Sequence, residues 1–238
     1  EQNNEQNNNQ EAPNIDFEWN TEEKITKNIE DTGSSLVMPN FSRTDLNPFS
    51  STYGSEISPQ GYLGSVTGWY FIKATWGYCR GQFGLLNTLQ TELDTDYPDL
   101  SIEILAINRT DVALNEALAE QYQLPLDELW ASFFGPESPS QSSLPFVNDL
   151  EWAIWGSWGE YCTIEGENSD TASETTLAHI SPSDHWRDLY ILSADNELLA
   201  VYNLTTYNLS QPDNYNQIKS LLIEAARDAQ GLNQASSE

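Results

Sequence analysis

The chain has 238 residues, 38% of them hydrophobic and 11% aromatic, which is enough to bury a core in one domain that carries a tail. It has 37 acidic and 9 basic residues, a net charge of −28, and a field of that sign repels nucleic acid and anionic membranes. No run approaches the roughly 18 apolar residues that a membrane span needs. We therefore expect an acidic protein with no nucleic-acid partner and no membrane span.

The N-terminal region is polar. Residues 1–14 are nearly all Glu, Gln and Asn, and such a stretch cannot bury enough surface to offset the entropy of ordering it. We predict a polar tail over residues 1–36, a folded domain over residues 37–230 and a C-terminal tail over residues 231–238. The first tail would act as a tether or a self-assembly segment, or would have no role.

The chain is organised around a strand, a turn and a helix. An apolar run at residues 69–72 predicts a strand, and a sharp turn follows it, Trp76-Gly77-Tyr78-Cys79. Apolar residues at helical spacing then predict a helix over residues 81–95. A cysteine at such a helix start suits a thiolate, because the helix dipole and free amides lower a cysteine pKa. This layout is typical of a thioredoxin-type active site.

The other elements complete a predicted α/β fold. In chain order they are a strand at residues 100–108, a helix at 110–121, a shorter element at 124–135, an apolar segment at 144–147, strands at 187–193 and 198–203 around a four-residue turn, and a helix at 215–229. A polar surface insertion is predicted at about residues 163–185. The order predicts a thioredoxin-like fold, in which helices flank a central mixed sheet.

Two further features follow from this fold prediction. Pro145 matches the place where thioredoxin folds keep a cis-proline beside the active site, so we expect it to clamp a substrate there. Trp152, Trp155 and Trp158 recur at i, i+3 and i+6, which favours a helical face packed on the core over a ligand cage.

Cofactor and modification signals are weak. Residues 94–99 are rich in Asp but lack the Gly and the closing Glu of a calcium loop, so calcium binding is not expected, and no metal or cofactor site is predicted. Four Asn-x-Ser/Thr sequons are glycosylation candidates in a glycosylating compartment: Asn40, Asn108, Asn203 and Asn208.

The turn also carries a family resemblance. Residues 64–67, 74–79 and 104–108 together resemble the N-terminal domain of selenoprotein P and its bacterial extracytoplasmic redoxin-like relatives, and the resemblance covers residues 37–229. That family places a selenocysteine or cysteine three positions before a second cysteine. Here Cys79 matches the second position and Trp76 occupies the first. An indole can neither attack nor resolve a disulfide, so the turn as written holds no dithiol.

Three interpretations of the turn stay open. Trp76 is genuine and dithiol chemistry has been lost, or position 76 stands for a selenocysteine whose UGA codon was translated as Trp. In the third, Cys162 has become the partner of Cys79 in a disulfide.

Two functions follow from these interpretations. The first is an exported protein of thiol or selenol oxidoreductase ancestry, with Cys79, position 76 and Pro145 in its site and with protein or peptide thiols as partners. The alternative is a redox-inactive binding or structural subunit of an extracellular assembly. Both readings place the protein in a secreted, periplasmic or cell-surface location.

Overall fold

A computed structural model describes residues 37–109, 116–134, 142–149, 153–159 and 187–232. Backbone contacts divide the chain into Glu1–Ser34 and Ser35–Glu238, and all the described residues belong to the second unit. The predicted N-terminal tail, the insertion at residues 163–185 and Cys162 lie outside the described residues, as do residues 233–238 of the C-terminal tail.

The described strands form a five-stranded mixed sheet and a small two-stranded one. They are β1 (Arg43–Thr44), β2 (Glu56–Ile57), β3 (Val66–Ile72), β4 (Ile102–Asn108), β5 (Phe146–Asn148), β6 (Asp188–Leu192) and β7 (Leu198–Asn203). The large sheet has the order β5-β4-β3-β6-β7. Strands β3, β4 and β5 run parallel, whereas β6 and β7 are antiparallel to their neighbours, and β1 pairs only with β2.

Helices lie on both faces of the sheet. They are α1 (Gly77–Asp96), α2 (Glu116–Tyr122), α3 (Leu126–Phe134), α4 (Ala153–Gly159) and α5 (Pro212–Ala229), and a short 3-10 helix covers Pro59–Tyr62. α1 and α5 both pack against β3 and β4, while α4 belongs to the core cluster on the other face. All seven residues of β3 are buried, as expected for a central strand covered on both faces.

An aromatic cluster fills the core on the α4 side. The Trp158 ring contacts Trp69, Phe71 and Tyr190 with centroids 5.8, 5.9 and 5.4 Å apart. The Trp158 indole N–H donates to the Pro39 carbonyl at 2.9 Å, so its one polar group is satisfied. The prediction that this helical face packs on the core is confirmed for Trp158. Trp152 lies outside the described residues, and the side chain of Trp155 is not described.

The element order agrees with the predicted α/β arrangement of strand, helix, strand, helices, hairpin and helix. One boundary matters for the site: α1 begins at Gly77, four residues earlier than predicted. Tyr78 and Cys79 are therefore helical residues. The segment predicted at residues 144–147 becomes β5, an edge strand beside β4.

Candidate functional site

The turn lies where the central strand passes into the first long helix, as predicted. Trp76 is the N-cap residue of α1, with extended φ of −96° and ψ of 124°, and no side chain caps the helix. The Trp76 amide donates to the Lys73 carbonyl at 2.9 Å, and the Trp76 carbonyl accepts the first helical bond from the Arg80 amide at 3.1 Å. Cys79 is therefore in the first turn, where the helix leaves its amides without intrahelical acceptors.

Cys79 is a buried, free thiol. Its exposed fraction is 0%, whereas Trp76 is half-buried and Thr75, Gly77 and Tyr78 are exposed, so these neighbours and not the thiol form the surface of the junction. The predicted disulfide with Cys162 involves a residue outside the described part of the chain. The turn therefore has a buried thiol at Cys79 and an indole at Trp76, and an indole cannot perform disulfide exchange.

A buried phenol lies beneath the turn. Tyr70 in β3 is 0% exposed, and its hydroxyl has no hydrogen-bond partner among the described residues. The pKa of Tyr70 lies well above its usual value, first because of burial and then because of the adjacent Cys79 sulfur, while Arg187 opposes the shift. The Tyr70 hydroxyl thus lies near Cys79, Arg187 and Tyr78, which all act on its pKa.

Two cations lie over the rings of the turn. The Lys73 ammonium is 4.6 Å from the Trp76 ring centroid, and the Arg187 guanidinium is 5.2 Å from Trp76 and 5.0 Å from Tyr78. These distances are in the range of cation–π attraction. The Tyr78 hydroxyl donates to the Leu204 carbonyl at 2.5 Å, which fixes that ring between the helix and the end of β7.

Arg187 is the functional candidate that sequence reasoning missed. It directly precedes β6, the antiparallel neighbour of β3, and its amide donates to the Phe71 carbonyl at 3.1 Å. Its φ of +79° is in the left-handed region that non-glycine residues rarely adopt. A signal was available, because a basic residue at a strand start is conspicuous in a chain with only 9 Lys and Arg.

Pro145 does not occupy the position that was predicted for it. No cis peptide bond occurs among the described residues, so the Leu144–Pro145 bond is trans. Pro145 precedes β5, two strands from β3, and its carbonyl accepts from the Ala106 amide at 2.9 Å. The residue that lies against the turn is Arg187, because the antiparallel strand β6 borders β3 on the other side. Pro145 is therefore not kept in the proposed site.

Asn108 supports the turn from the end of β4. Its Oδ1 accepts from the Ala74 amide at 3.2 Å, and its Nδ2 donates to the Asn148 Oδ1 at 2.9 Å. The residue is 0% exposed, so the folded chain has no room for a glycan at this sequon. The prediction of a glycosylation site at Asn108 is therefore wrong. A sequon is defined by three neighbouring residues, whereas the burial of Asn108 depends on where its strand lies in the sheet.

The other sequons differ in accessibility. Asn40 is exposed, although its Oδ1 accepts from the Gln60 amide at 3.2 Å. Asn203 donates to Asp188 at 2.7 Å, and Asn208 accepts from Gln82 at 3.0 Å, and both are half-buried. Glycosylation at these three positions stays a prediction.

A buried charge lies at the same edge of the sheet. Arg109 is 0% exposed, and its amide donates to the Ile72 carbonyl at 2.8 Å. Burial lowers the pKa of its guanidinium to about 10, while the charges of Asp149 and Asp188 act in the opposite direction. Arg109 therefore links the end of β4 to the end of β3, with the charge of Asp188 in β6 close enough to act on it.

The described residues contain no group of three or more His, Cys, Asp or Glu that could hold a metal ion. Within the same ranges, no helix is long and apolar enough to cross a membrane.

Comparison with known proteins identifies the fold. No family model and no curated protein sequence matches the chain. Among solved structures, a candidate protein disulfide isomerase from Bacteroides thetaiotaomicron matches with a TM-score of 0.50 and 11% identity, over 81% of this chain and 89% of that one. Thioredoxin peroxidase I from Plasmodium yoelii matches with a TM-score of 0.50 and 13% identity, over 86% and 94% of the two chains.

These likenesses concern the fold alone, since the identities are so low. The chain has a thioredoxin-like fold, an α/β architecture with a mixed five-stranded sheet flanked by helices. The narrower resemblance to selenoprotein P finds no support among these matches and stays a resemblance carried by the residues of the turn.

Proposed function

We propose that this chain is an exported thioredoxin-fold protein of thiol–disulfide oxidoreductase ancestry whose redox turn now serves as a binding site. The names of its structural neighbours, a candidate protein disulfide isomerase and a thioredoxin peroxidase, support the ancestry. Partners would be peptides or proteins that lie across Trp76 and Tyr78. The acidic composition and polar N-terminal residues fit a secreted, periplasmic or cell-surface location.

One observation carries this proposal: the half-buried side chain of Trp76 occupies the N-cap position of α1, and the one thiol of the turn, Cys79, is 0% exposed. Disulfide exchange requires a thiolate that reaches the substrate sulfur and a second thiol that resolves the mixed disulfide. The turn supplies at most the resolving thiol, on Cys79. Its accessible surface includes two aromatic rings and the cations above them, which are features of recognition rather than exchange.

The experiment is reduction of insulin by dithiothreitol in the presence of the protein. The unmodified chain is expected to give the rate of dithiothreitol alone. The Trp76→Cys variant places a thiol three positions before Cys79, so it is expected to accelerate the reaction: Cys at position 76 attacks the insulin disulfide and Cys79 resolves the intermediate. The matched control is Thr75→Cys, because Thr75 is exposed and adjacent but one position out of register. Thiol-dependent turnover by the unmodified chain would refute the proposal.

A second candidate function is a selenol-dependent oxidoreductase in which position 76 holds selenocysteine. The observation in its favour is electrostatic: the side chain at position 76 lies at the N-cap of α1 with the Lys73 and Arg187 cations nearby. A helix N-terminus and adjacent cations favour the anionic form of a chalcogen nucleophile. Peroxide or insulin reduction by protein from its native source, lost on alkylation, would select this candidate.

A further inference from the structure

The basic residues of this acidic chain gather at one edge of its sheet. The sequence has 9 Lys and Arg against 37 Asp and Glu. Four of the nine lie around the same strand ends. Lys73 follows β3, Arg109 follows β4 and Arg187 precedes β6, which is antiparallel to β3. The fourth, Arg80, is in the first turns of α1. Asp149 and Asp188 lie near Arg109 at the same strand ends, so the turn is a place where cations are concentrated, although not one free of acids, in a chain whose overall charge is negative.

Arg187 is the most specific of these cations. Its guanidinium lies over both rings of the turn, 5.2 Å from the centroid of the half-buried Trp76 and 5.0 Å from that of the exposed Tyr78. One guanidinium nitrogen, Nη1, donates to the Thr205 hydroxyl at 2.8 Å. The Nε group is buried and makes no hydrogen bond among the described residues. The guanidinium is thus held in place while keeping donors for an acceptor that is not part of the described chain.

The N-terminus of α1 adds further donors beside Arg187. The helix has no side-chain cap and no acidic residue in its first turn, so the amides of Gly77, Tyr78 and Cys79 have no intrahelical acceptor. The Tyr70 hydroxyl provides an independent indication, since it is fully buried, has no hydrogen-bond partner among the described residues and lies near Cys79 and Arg187, which both act on its pKa. Buried polar groups are normally satisfied, whereas the Tyr70 hydroxyl and the Arg187 Nε lack a partner among the described residues, and the first-turn amides, two of them on the exposed residues Gly77 and Tyr78, favour an anion beside them.

We propose that this corner, defined by Trp76, Tyr78, Arg187 and the first-turn amides of α1, binds a carboxylate of an acidic peptide segment. The carboxylate would accept from Arg187 and the helix amides, and the two rings would contact the apolar part of the peptide. This inference rests on the proposed binding function and names its ligand class. Charge complementarity selects the occupant, because the remaining surface of a −28 chain repels an acidic peptide and this corner attracts it.

The test uses three fluorescein-labelled peptides in fluorescence anisotropy. The first alternates Glu and Phe and has an amidated C-terminus, the second replaces each Glu by Gln, and the third is the Gln peptide with a free C-terminal acid. The Glu peptide is expected to bind about tenfold tighter than the amidated Gln peptide, as one hydrogen bond to a charged group implies. Tight binding of the free-acid Gln peptide would assign the site to a terminal carboxylate. Equal binding of the two amidated peptides, or no binding by any of the three, would overturn the inference.

Variants locate the site. Arg187→Gln is expected to reduce the preference for Glu over Gln to less than about twofold, whereas Arg187→Lys is expected to keep part of it. The control is Arg227→Gln, because Arg227 also lies over a tyrosine ring, 5.8 Å from the centroid of Tyr97, on the separate helix α5. An Arg187→Gln variant that melts like the parent and keeps the full preference would overturn the inference.

One measurement needs no variant. Addition of the Glu peptide to the unmodified, isotope-labelled chain is expected to shift the amide NMR signals of Gly77, Tyr78 and Cys79, and shifts confined to other residues would overturn the inference. Peptide preference and insulin reduction report different properties. Turnover by the unmodified chain would refute the proposed function whatever the peptides do, and loss of the Glu preference would refute only the carboxylate site.

Discussion

The burial of Cys79 predicts how slowly its thiol reacts in the native protein. The perturbation is iodoacetamide, which must reach the Cys79 sulfur to alkylate it. Because Cys79 and Tyr70 are both 0% exposed, access requires the first turn of α1 to open and both side chains to meet water. At roughly 1.5 kcal/mol or more for each buried side chain, opening costs about 3 kcal/mol or more. A cost of that size slows alkylation by at least about 100-fold.

The assay compares alkylation in native buffer with alkylation in concentrated urea, followed by mass spectrometry of the peptide that contains Cys79. The Thr75→Cys variant provides an exposed thiol near the turn and reports the intrinsic rate of the reagent in native buffer. We expect the thiol introduced at position 75 to react at a rate close to that in urea, while Cys79 lags by two orders of magnitude or more. Native alkylation of Cys79 within about tenfold of its rate in urea would refute the reasoning, since the thiol would then be accessible.

Three other predictions concern the fold around the site. Trp158→Ala removes the central ring of the core cluster and is expected to lower the free energy of unfolding in urea by about 3–5 kcal/mol. Asn108→Ala leaves the Ala74 amide without its acceptor and is expected to cost about 1–3 kcal/mol in the same assay; no loss would mean that the turn does not depend on this contact. Burial raises the pKa of Tyr62 and Tyr202 to about 12, so the stability that their neutral phenols contribute is fully present below about pH 10 and is lost as pH rises toward 12. Urea unfolding at about pH 9 and pH 11 should show that decrease, and unchanged stability would contradict it.

Much of the architecture could be predicted from local sequence. The buried parallel strand at β4 and the hairpin of β6 and β7 follow from short apolar runs separated by turn residues, and these elements agree with the structure. The junction that holds Trp76 was also predicted correctly, because a strand that stops at a turn before helical periodicity has few alternatives. The start of α1 was harder to locate, since Trp76 and Gly77 give no capping signal.

The surroundings of the turn could not be predicted in the same way. Pro145 was placed beside Cys79 by analogy, but chain order does not determine which strand borders β3 at that point. The antiparallel pairing of β3 with β6 brings Arg187 there instead, and its role depends on a contact between residues more than 100 positions apart in the chain. Asn108 illustrates the same limit, although its place at the end of an apolar run was a usable sign of burial.

The identity of the residue at position 76 is the most direct test, because the loss of disulfide exchange depends on an indole there. Protein purified from its native source can be digested, and the peptide that carries residues 76–79 weighed by high-resolution mass spectrometry. The account predicts the mass of the printed sequence, with tryptophan at position 76 and a free thiol on Cys79. A selenium isotope pattern at position 76 would contradict it and would make the turn a selenol–thiol pair.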